Sequence, residues 1–194
     1  MKNIVKKKVQ EFKKNTILEE VSIYFEEKGY NNATIQDISQ HIGISVGSLY
    51  KLFTSKEELY YAYIAHQRKL FYTHLENMCR DKDSLTSLKL FVTYKFEAFR
   101  NKKMAFLDPI LGDPLYLVKL NMSNANPLLS NIKILENWFK DICIKENLKE
   151  TDSLKLAYLF NATINGYVEY WLNGGLLPEN VEEIINHFIS SFKD

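Results

Sequence analysis

The stretch Thr34–Leu59, TIQDISQHIGISVGSLYKLFTSKEEL, decides how this chain is read. Thr34 followed by Asp37 reads as a capping-box start. Ile35, Ile38 and Ile42 then fall on one helical face, and Gly43 ends that helix. Ser45 caps the next helix, on which Leu49, Leu52 and Phe53 turn toward the core, and Ser55 with Glu58 opens a third. Two short helices joined by a glycine-containing turn are what a helix-turn-helix needs if its second helix is to enter a DNA groove.

Upstream, Val9, Phe12, Thr16, Ile17, Val21, Tyr24 and Phe25 recur at three- and four-residue steps, which predicts an amphipathic helix from about Lys8 to Lys28, stopped by Gly29. Downstream, the spacing predicts a long helix through about Met78, carrying Leu59, Tyr63, Leu70 and Leu75, and a second one from Ser84 to Arg100. The run DPILGDP, Asp108 to Pro114, interrupts helix with two prolines and a glycine. Asn126–Pro127 reads as a cap and first helical residue of a helix reaching about Asn147. Another helix is expected from Thr151 or Asp152 to Asn173, stopped by Gly174 and Gly175, and a last one starts around Pro178 and runs to about Phe192. No strand pattern of useful length appears. The expectation is an all-α chain of about nine helices: a helix-turn-helix module of three helices over residues 1–54, then a larger helical effector-binding and dimerisation domain over 55–194.

Composition sets the bounds. Hydrophobic residues are 46% of 194, enough for a real core, and argue against disorder over the whole length. Twelve Phe, twelve Tyr and only four Pro suit long helices with aromatic packing. The net charge of +1 says little about partners, but Lys2, Lys6, Lys7, Lys8, Lys13 and Lys14 crowd the first fourteen residues. A basic arm of this kind sits well near phosphates, and equally well as a solubilising terminus. Cys79 and Cys143 are isolated, with no CxxC pair, which fits a reduced, cytoplasmic setting. No signal-peptide run and no segment of about eighteen apolar residues is present, so a membrane span is not expected.

On the second helix of the motif, Val46, Gly47, Tyr50 and Lys51 fall opposite or beside the buried side. Gly47 and Ser48 keep its leading end narrow, and a major groove leaves a helix little spare width. Val46 suits a thymine methyl, Ser48 a base edge or phosphate, and Tyr50 a phosphate or sugar. Thr34 and Ser45 are caps whose hydroxyls also suit a phosphate, and Lys56 in the next helix's first turn is a phosphate clamp. Such contacts bring salt-dependent affinity; base contacts bring selectivity. The plainer account makes Ile35, Ile38, Leu49 and Phe53 ordinary core and the hydroxyls ordinary caps.

The pattern T-I-x-D-I-S-x-x-I-G-I-S-x-G-S-L-Y-x-L-F-x-S-K-E-E-L resembles the DNA-binding motif of the TetR family of bacterial and archaeal transcriptional regulators. The matching positions are Thr34, Ile35, Ile38, Gly43, Ser45, Gly47, Leu49, Tyr50, Phe53, Lys56, Glu57 and Leu59. The resemblance is close over roughly residues 8–60, and beyond that extends only to length and helical character. It implies a homodimer on a palindromic operator, usually a repressor, released from double-stranded DNA by a small molecule in the C-terminal body. It also implies that Val46 to Leu52 is the recognition helix, that Tyr50 and Lys56 contact phosphate and that Thr34 contacts the backbone. This chain departs from the pattern in having no Arg, Asn or Gln on that helix for bidentate base contacts. Gln36, the basic arm or DNA shape then supplement an apolar readout.

For the effector, Phe91, Tyr94 and Phe99 are candidate lining residues, with Tyr116, Asn161 and Tyr167 as polar contacts, and an apolar or aromatic ligand is the expectation. Ordinary packing explains the same aromatics. For dimerisation, Leu154, Ala157, Ile164, Val168 and Trp171 on one helix, with Ile184 and Phe188 on the last, form a stripe suited to a four-helix interface. The same stripe would equally pack inside one subunit. No catalytic residue, metal site or cofactor is expected: the four histidines form no HExxH, and G-x-S-x-G, P-loop and GxGxxG are missing. A helical enzyme and a protein-interaction adaptor without DNA binding are the competing readings.

Overall fold

The computed structural model describes residues 2–101 and 128–193. Their fold is all-α, with eight helices and no strand among the described residues. In chain order they are α1 (Lys2–Asn32), α2 (Ile35–His41), α3 (Val46–Tyr50), α4 (Lys56–Cys79), α5 (Ser84–Asn101), α6 (Leu128–Lys145), α7 (Ser153–Leu172) and α8 (Val181–Ser190). The Asp108–Pro114 segment, Tyr116 and the Asn126–Pro127 cap lie outside the described residues. No helix among those described is long and apolar enough to cross a membrane. The described residues fall into two compact units, 2–70 and 71–101 with 128–193.

In the first unit α2 packs on both α1 and α3. Leu18, Val21 and Phe25 of α1 are buried with Ile35 and Ile38 of α2, Leu49 of α3, Phe53 and Leu59. Complete burial of side chains such as Ile38 and Leu49 contributes about 1.5–3 kcal/mol each. The Phe25 ring meets Tyr60 of α4 edge-on at 5.0 Å and Tyr63 at 5.4 Å, which fixes α4 against α1. The apolar stripe expected to start near Val9 is buried only from Leu18 onward. Val9 and Phe12 are 50% and 72% exposed, because they lie on the side of α1 roughly opposite Leu18, Val21 and Phe25.

The turn between α2 and α3 is closed by a glycine-dependent cap. Gly43 sits at φ 69°, its amide donates to the Gln40 carbonyl (3.3 Å), and the Ile44 amide donates to that of Ser39 (3.0 Å). This two-bond cap needs a left-handed residue in its fifth place, which glycine supplies without steric cost. It reverses the chain within three residues and so delivers Ser45 to the start of α3.

In the second unit one aromatic cluster ties four helices. Phe91 of α5, Phe139 of α6, Phe160 of α7 and Phe188 of α8 are buried in one core. Lys95 of α5 donates to Asn161 (3.0 Å) and Asn165 (2.7 Å) of α7, and Lys89 pairs with Glu182 of α8. Asp152, one of the two expected start positions, caps α7. The last helix starts later than Pro178 suggested, because the Asn180 side chain accepts from the Glu183 amide and makes Asn180 the cap.

The stripe assigned to dimerisation lies largely in this core. Ala157, Ile164 and Val168 of α7 and Ile184 and Phe188 of α8 are buried, and Trp171 is half-buried against the same cluster. Leu154, at 42%, is the exposed member of the set. Apolar area already withdrawn from water inside the subunit is not available to a partner. The outward face of α7 carries a different apolar set: Tyr158, Leu159 and Tyr170 are 49%, 41% and 62% exposed.

Candidate nucleic-acid interface

The geometry of α3 follows from two anchors and one cap. Ser45 Oγ accepts from the Ser48 amide (3.1 Å) and starts the helix. Leu49 and Phe53 are completely or almost completely buried and hold its inner side. The helix proper ends at Tyr50, shorter than the expected Val46–Leu52 span, but the Leu52 and Phe53 amides still donate to the Leu49 carbonyl (3.0 and 2.9 Å), so the coil continues one further turn.

What remains outward is the set picked from the sequence. Gly47, Ser48, Tyr50 and Lys51 are exposed, and Val46 is half-buried. Ser45 and Ser48 share a hydroxyl hydrogen bond of 2.8 Å, which uses one of their two hydroxyl protons and leaves the other for a further acceptor. Thr34 and Gln36 are exposed at the start of α2. Thr34 Oγ1 accepts from the Asp37 amide (3.1 Å) and donates to the Asp37 carboxylate (2.6 Å), so its hydroxyl is occupied as a cap. A contact from this hydroxyl to phosphate requires it to leave Asp37.

Lys56 opens α4 and is half-buried. Its ammonium stands 4.0 Å from the centre of the Tyr30 ring. Sequence reasoning missed this neighbour. In the same turn Glu57 accepts from the Tyr61 hydroxyl (3.1 Å), and Glu58 accepts from the Thr54 amide and hydroxyl (2.5 and 2.6 Å). The Glu58 amide in turn donates to Ser55 Oγ (3.0 Å). The expected Ser55–Glu58 cap therefore forms, with its carboxylate return bond displaced by one residue to Thr54. Nearby, Lys14 lies 5.0 Å over the Phe53 ring, and the basic terminus that carries it is part of the α1 helix.

The two Thr54 hydrogen bonds, helped by Lys14, hold the Glu58 carboxyl below its ordinary value. A depressed folded-state pKa stabilises the fold above the unfolded value, and that stabilisation is lost as pH falls through the folded value. We predict that Glu58→Gln, which keeps the shape and removes the charge, lowers stability by about 1 kcal/mol at neutral pH. The gap between urea melts of the two proteins begins to shrink near the ordinary glutamate value, about pH 4, and closes as pH falls through the depressed folded value. A gap of constant size across that range would show that the charge does not matter.

The candidate effector residues are distributed through the second unit. Phe91 is fully buried in the core, and Phe99 and Tyr167 are half-buried against it. Tyr94 stacks on Phe71 at 4.7 Å with 15° between the rings and touches His74 at 5.1 Å. Asn161 receives Lys95. Among the described residues no group of three or more His, Cys, Asp or Glu is placed to hold a metal ion. Burial pushes both cysteine thiols up, away from the reactive thiolate.

Residues 17–63 match the family of bacterial regulatory proteins described as tetR. The chain is 27% identical over 169 residues to an uncharacterized HTH-type transcriptional regulator in the lacX 3′ region of Lactococcus lactis subsp. lactis, covering 85% of this chain and 82% of that one. Its fold is similar to that of the fatty acid degradation regulator FadR from Bacillus halodurans, with a TM-score of 0.68 at 18% identity over 91% of this chain and 94% of that one. It is also similar to the transcriptional regulator FadR from Bacillus subtilis in complex with stearoyl-CoA, with a TM-score of 0.61 at 18% identity over 91% and 95%. An outward helix held by a capped turn, on this helical frame, defines a DNA-binding transcriptional regulator. Residues 17–63 match the DNA-binding domain of the TetR family.

Proposed function

We propose that the protein is a cytoplasmic, effector-released repressor that binds a twofold-symmetric operator as a homodimer and has no catalytic role. The observation that carries this is the split of α3 into a buried side, Leu49 with Phe53, and an outward side of Val46, Gly47, Ser48, Tyr50 and Lys51. In this reading residues 1–54 read DNA, with α3 in the major groove. Tyr50, Lys51 and Lys56 fix the register on phosphates, Thr34 and Ser45 stand at the backbone, and Val46, Ser48 and Gln36 face base edges. Residues 55–194 respond to the effector and pair the subunits.

The outward face of α7 supports pairing. Tyr158, Leu159 and Tyr170 are exposed there, and Gly166 lies between them with nothing within 4 Å of where a side chain would begin. Glycine inside a helix costs about 1 kcal/mol relative to alanine, so its use there favours a second helix approaching closely from outside. The effector is an apolar small molecule entering the aromatic-rich body. The stearoyl-CoA held by the similar Bacillus subtilis protein makes long-chain acyl-CoA a first compound to test.

The experiment is selection of bound fragments from random duplex DNA. The expected result is an enriched twofold motif, bound at least about tenfold more weakly (about 1.4 kcal/mol) by the Tyr50→Phe, Lys56→Ala double variant. The salt slope of that variant falls by about one for each phosphate it no longer neutralises. Failure to enrich any motif at low salt overturns the reading, an asymmetric motif overturns the paired operator, and turnover of an added compound favours an enzyme.

A further inference from the structure

The geometry points to Tyr30 as a positioning residue that holds Lys56 ready for phosphate without touching DNA itself; this rests on the phosphate role proposed for Lys56. Three observations carry it. First, the Lys56 ammonium lies 4.0 Å from the Tyr30 ring centre, within the range where the negative ring face attracts a cation. Second, the ring is fixed. It meets Tyr60 of α4 at 4.9 Å and Phe25 of α1 at 6.4 Å, and Tyr60 and Phe25 are themselves almost completely buried. Third, the backbone is bent to place it there: Gly29 adopts φ 72° and ψ 166°, a non-helical conformation within the α1 span. That region is essentially restricted to glycine. Nothing lies within 4 Å of where a Gly29 side chain would begin, so crowding is not what demands glycine there.

The consequence is entropic. A lysine on a helix's first turn ordinarily spreads over many rotamers, and ordering it on a phosphate opposes binding. A ring on one side of the ammonium narrows that spread in the free protein.

The test replaces Tyr30 with phenylalanine and with ring-fluorinated phenylalanine, which keeps the ring's place while weakening its negative face. Binding is measured to mixed-sequence duplex DNA at several salt concentrations, each variant on both the Lys56 and the Lys56→Ala background, with thermal melts in parallel. Tyr30→Phe is expected to keep wild-type affinity. Fluorination is expected to weaken binding about two- to fivefold per protomer with Lys56 present, and not at all with Lys56→Ala. Unchanged or tighter binding on fluorination, or equal loss on both backgrounds, overturns the proposal. If Lys56→Ala alone changes neither affinity nor salt slope, the phosphate role fails first and the positioning role with it. Tyr30→Leu adds a check with no ring: its loss of affinity must vanish on the Lys56→Ala background even where its melting point falls on both.

Discussion

Phe160→Ala is expected to destabilise the second unit by about 3–5 kcal/mol, the range for emptying a fully buried aromatic site. Phe160 has no exposed surface and lies where four helices meet. Its ring is 5.1 Å from Phe188 of α8, 5.5 Å from Phe139 of α6 and 6.3 Å from Phe91 of α5. Three rings from three helices cannot all shift to fill the space one phenyl leaves, because each is also held by its own helix. A domain's whole stability is about 5–15 kcal/mol, so the change removes a large part of it. Phe160→Leu keeps most of the volume and should cost markedly less. The readout is selective: both tryptophans, Trp138 of α6 and Trp171 of α7, pack against this same core, so their fluorescence in urea follows this unit. A loss below about 1.5 kcal/mol for the alanine variant would mean that the four-helix cluster is not the centre of stability assigned to it.

Helix ends were readable from sequence because their causes are local. Gly43 stops α2, Thr34 and Ser45 cap α2 and α3, and Asp152, one of two candidates beside Thr151, caps α7, each through groups within a few residues. Pro178 misled because proline is compatible with a first turn but does not compel one, while Asn180 supplies an acceptor for the Glu183 amide. The inward side of α3 was readable for the same reason: Leu49, Leu52 and Phe53 recur at helical spacing beside polar neighbours.

The facing of α7 was not. Its sequence is apolar on two sides, Ala157–Ile164–Val168 and Tyr158–Leu159–Tyr170, and periodicity alone does not choose between them. The choice is made by Phe91, Phe139 and Phe188 arriving from other helices, which draw Phe160 and its stripe inward. The pairing of Tyr30 with Lys56 was hidden for a related reason: the two residues belong to α1 and α4, and a bend at Gly29 helps bring them together. On α1, Val9 and Phe12 continue a plausible apolar rhythm, yet the helix face that is covered belongs to Leu18, Val21 and Phe25.

Gly47→Ala is expected to move stability and DNA binding in opposite directions. Gly47 is exposed in the first turn of α3, its φ lies outside the left-handed region, and a methyl group added there meets nothing within 4 Å. Nothing in the described protein therefore asks for glycine. Alanine at a helical position is favoured over glycine by about 0.5–1 kcal/mol, so the variant should melt higher. On the proposed function, the demand for glycine comes from the DNA groove. A major groove about 12 Å wide receives a helix about 10–12 Å across, which leaves no slack on the side that leads into it. A methyl on that side would hold the backbone off the bases and weaken the contacts proposed for Val46 and Ser48 together, so affinity for the selected operator should fall at least about tenfold. The salt slope should stay as it was, since the phosphate contacts proposed for Tyr50, Lys51 and Lys56 would be kept at the cost of a poorer fit over the base edges. Thr73→Ala, at an exposed position late in α4, serves as the comparison: it also gains helix propensity but has no place in the groove. If Gly47→Ala melts higher and binds operator as tightly as the parent, the narrow leading end of α3 is not what meets DNA, and the recognition surface lies elsewhere.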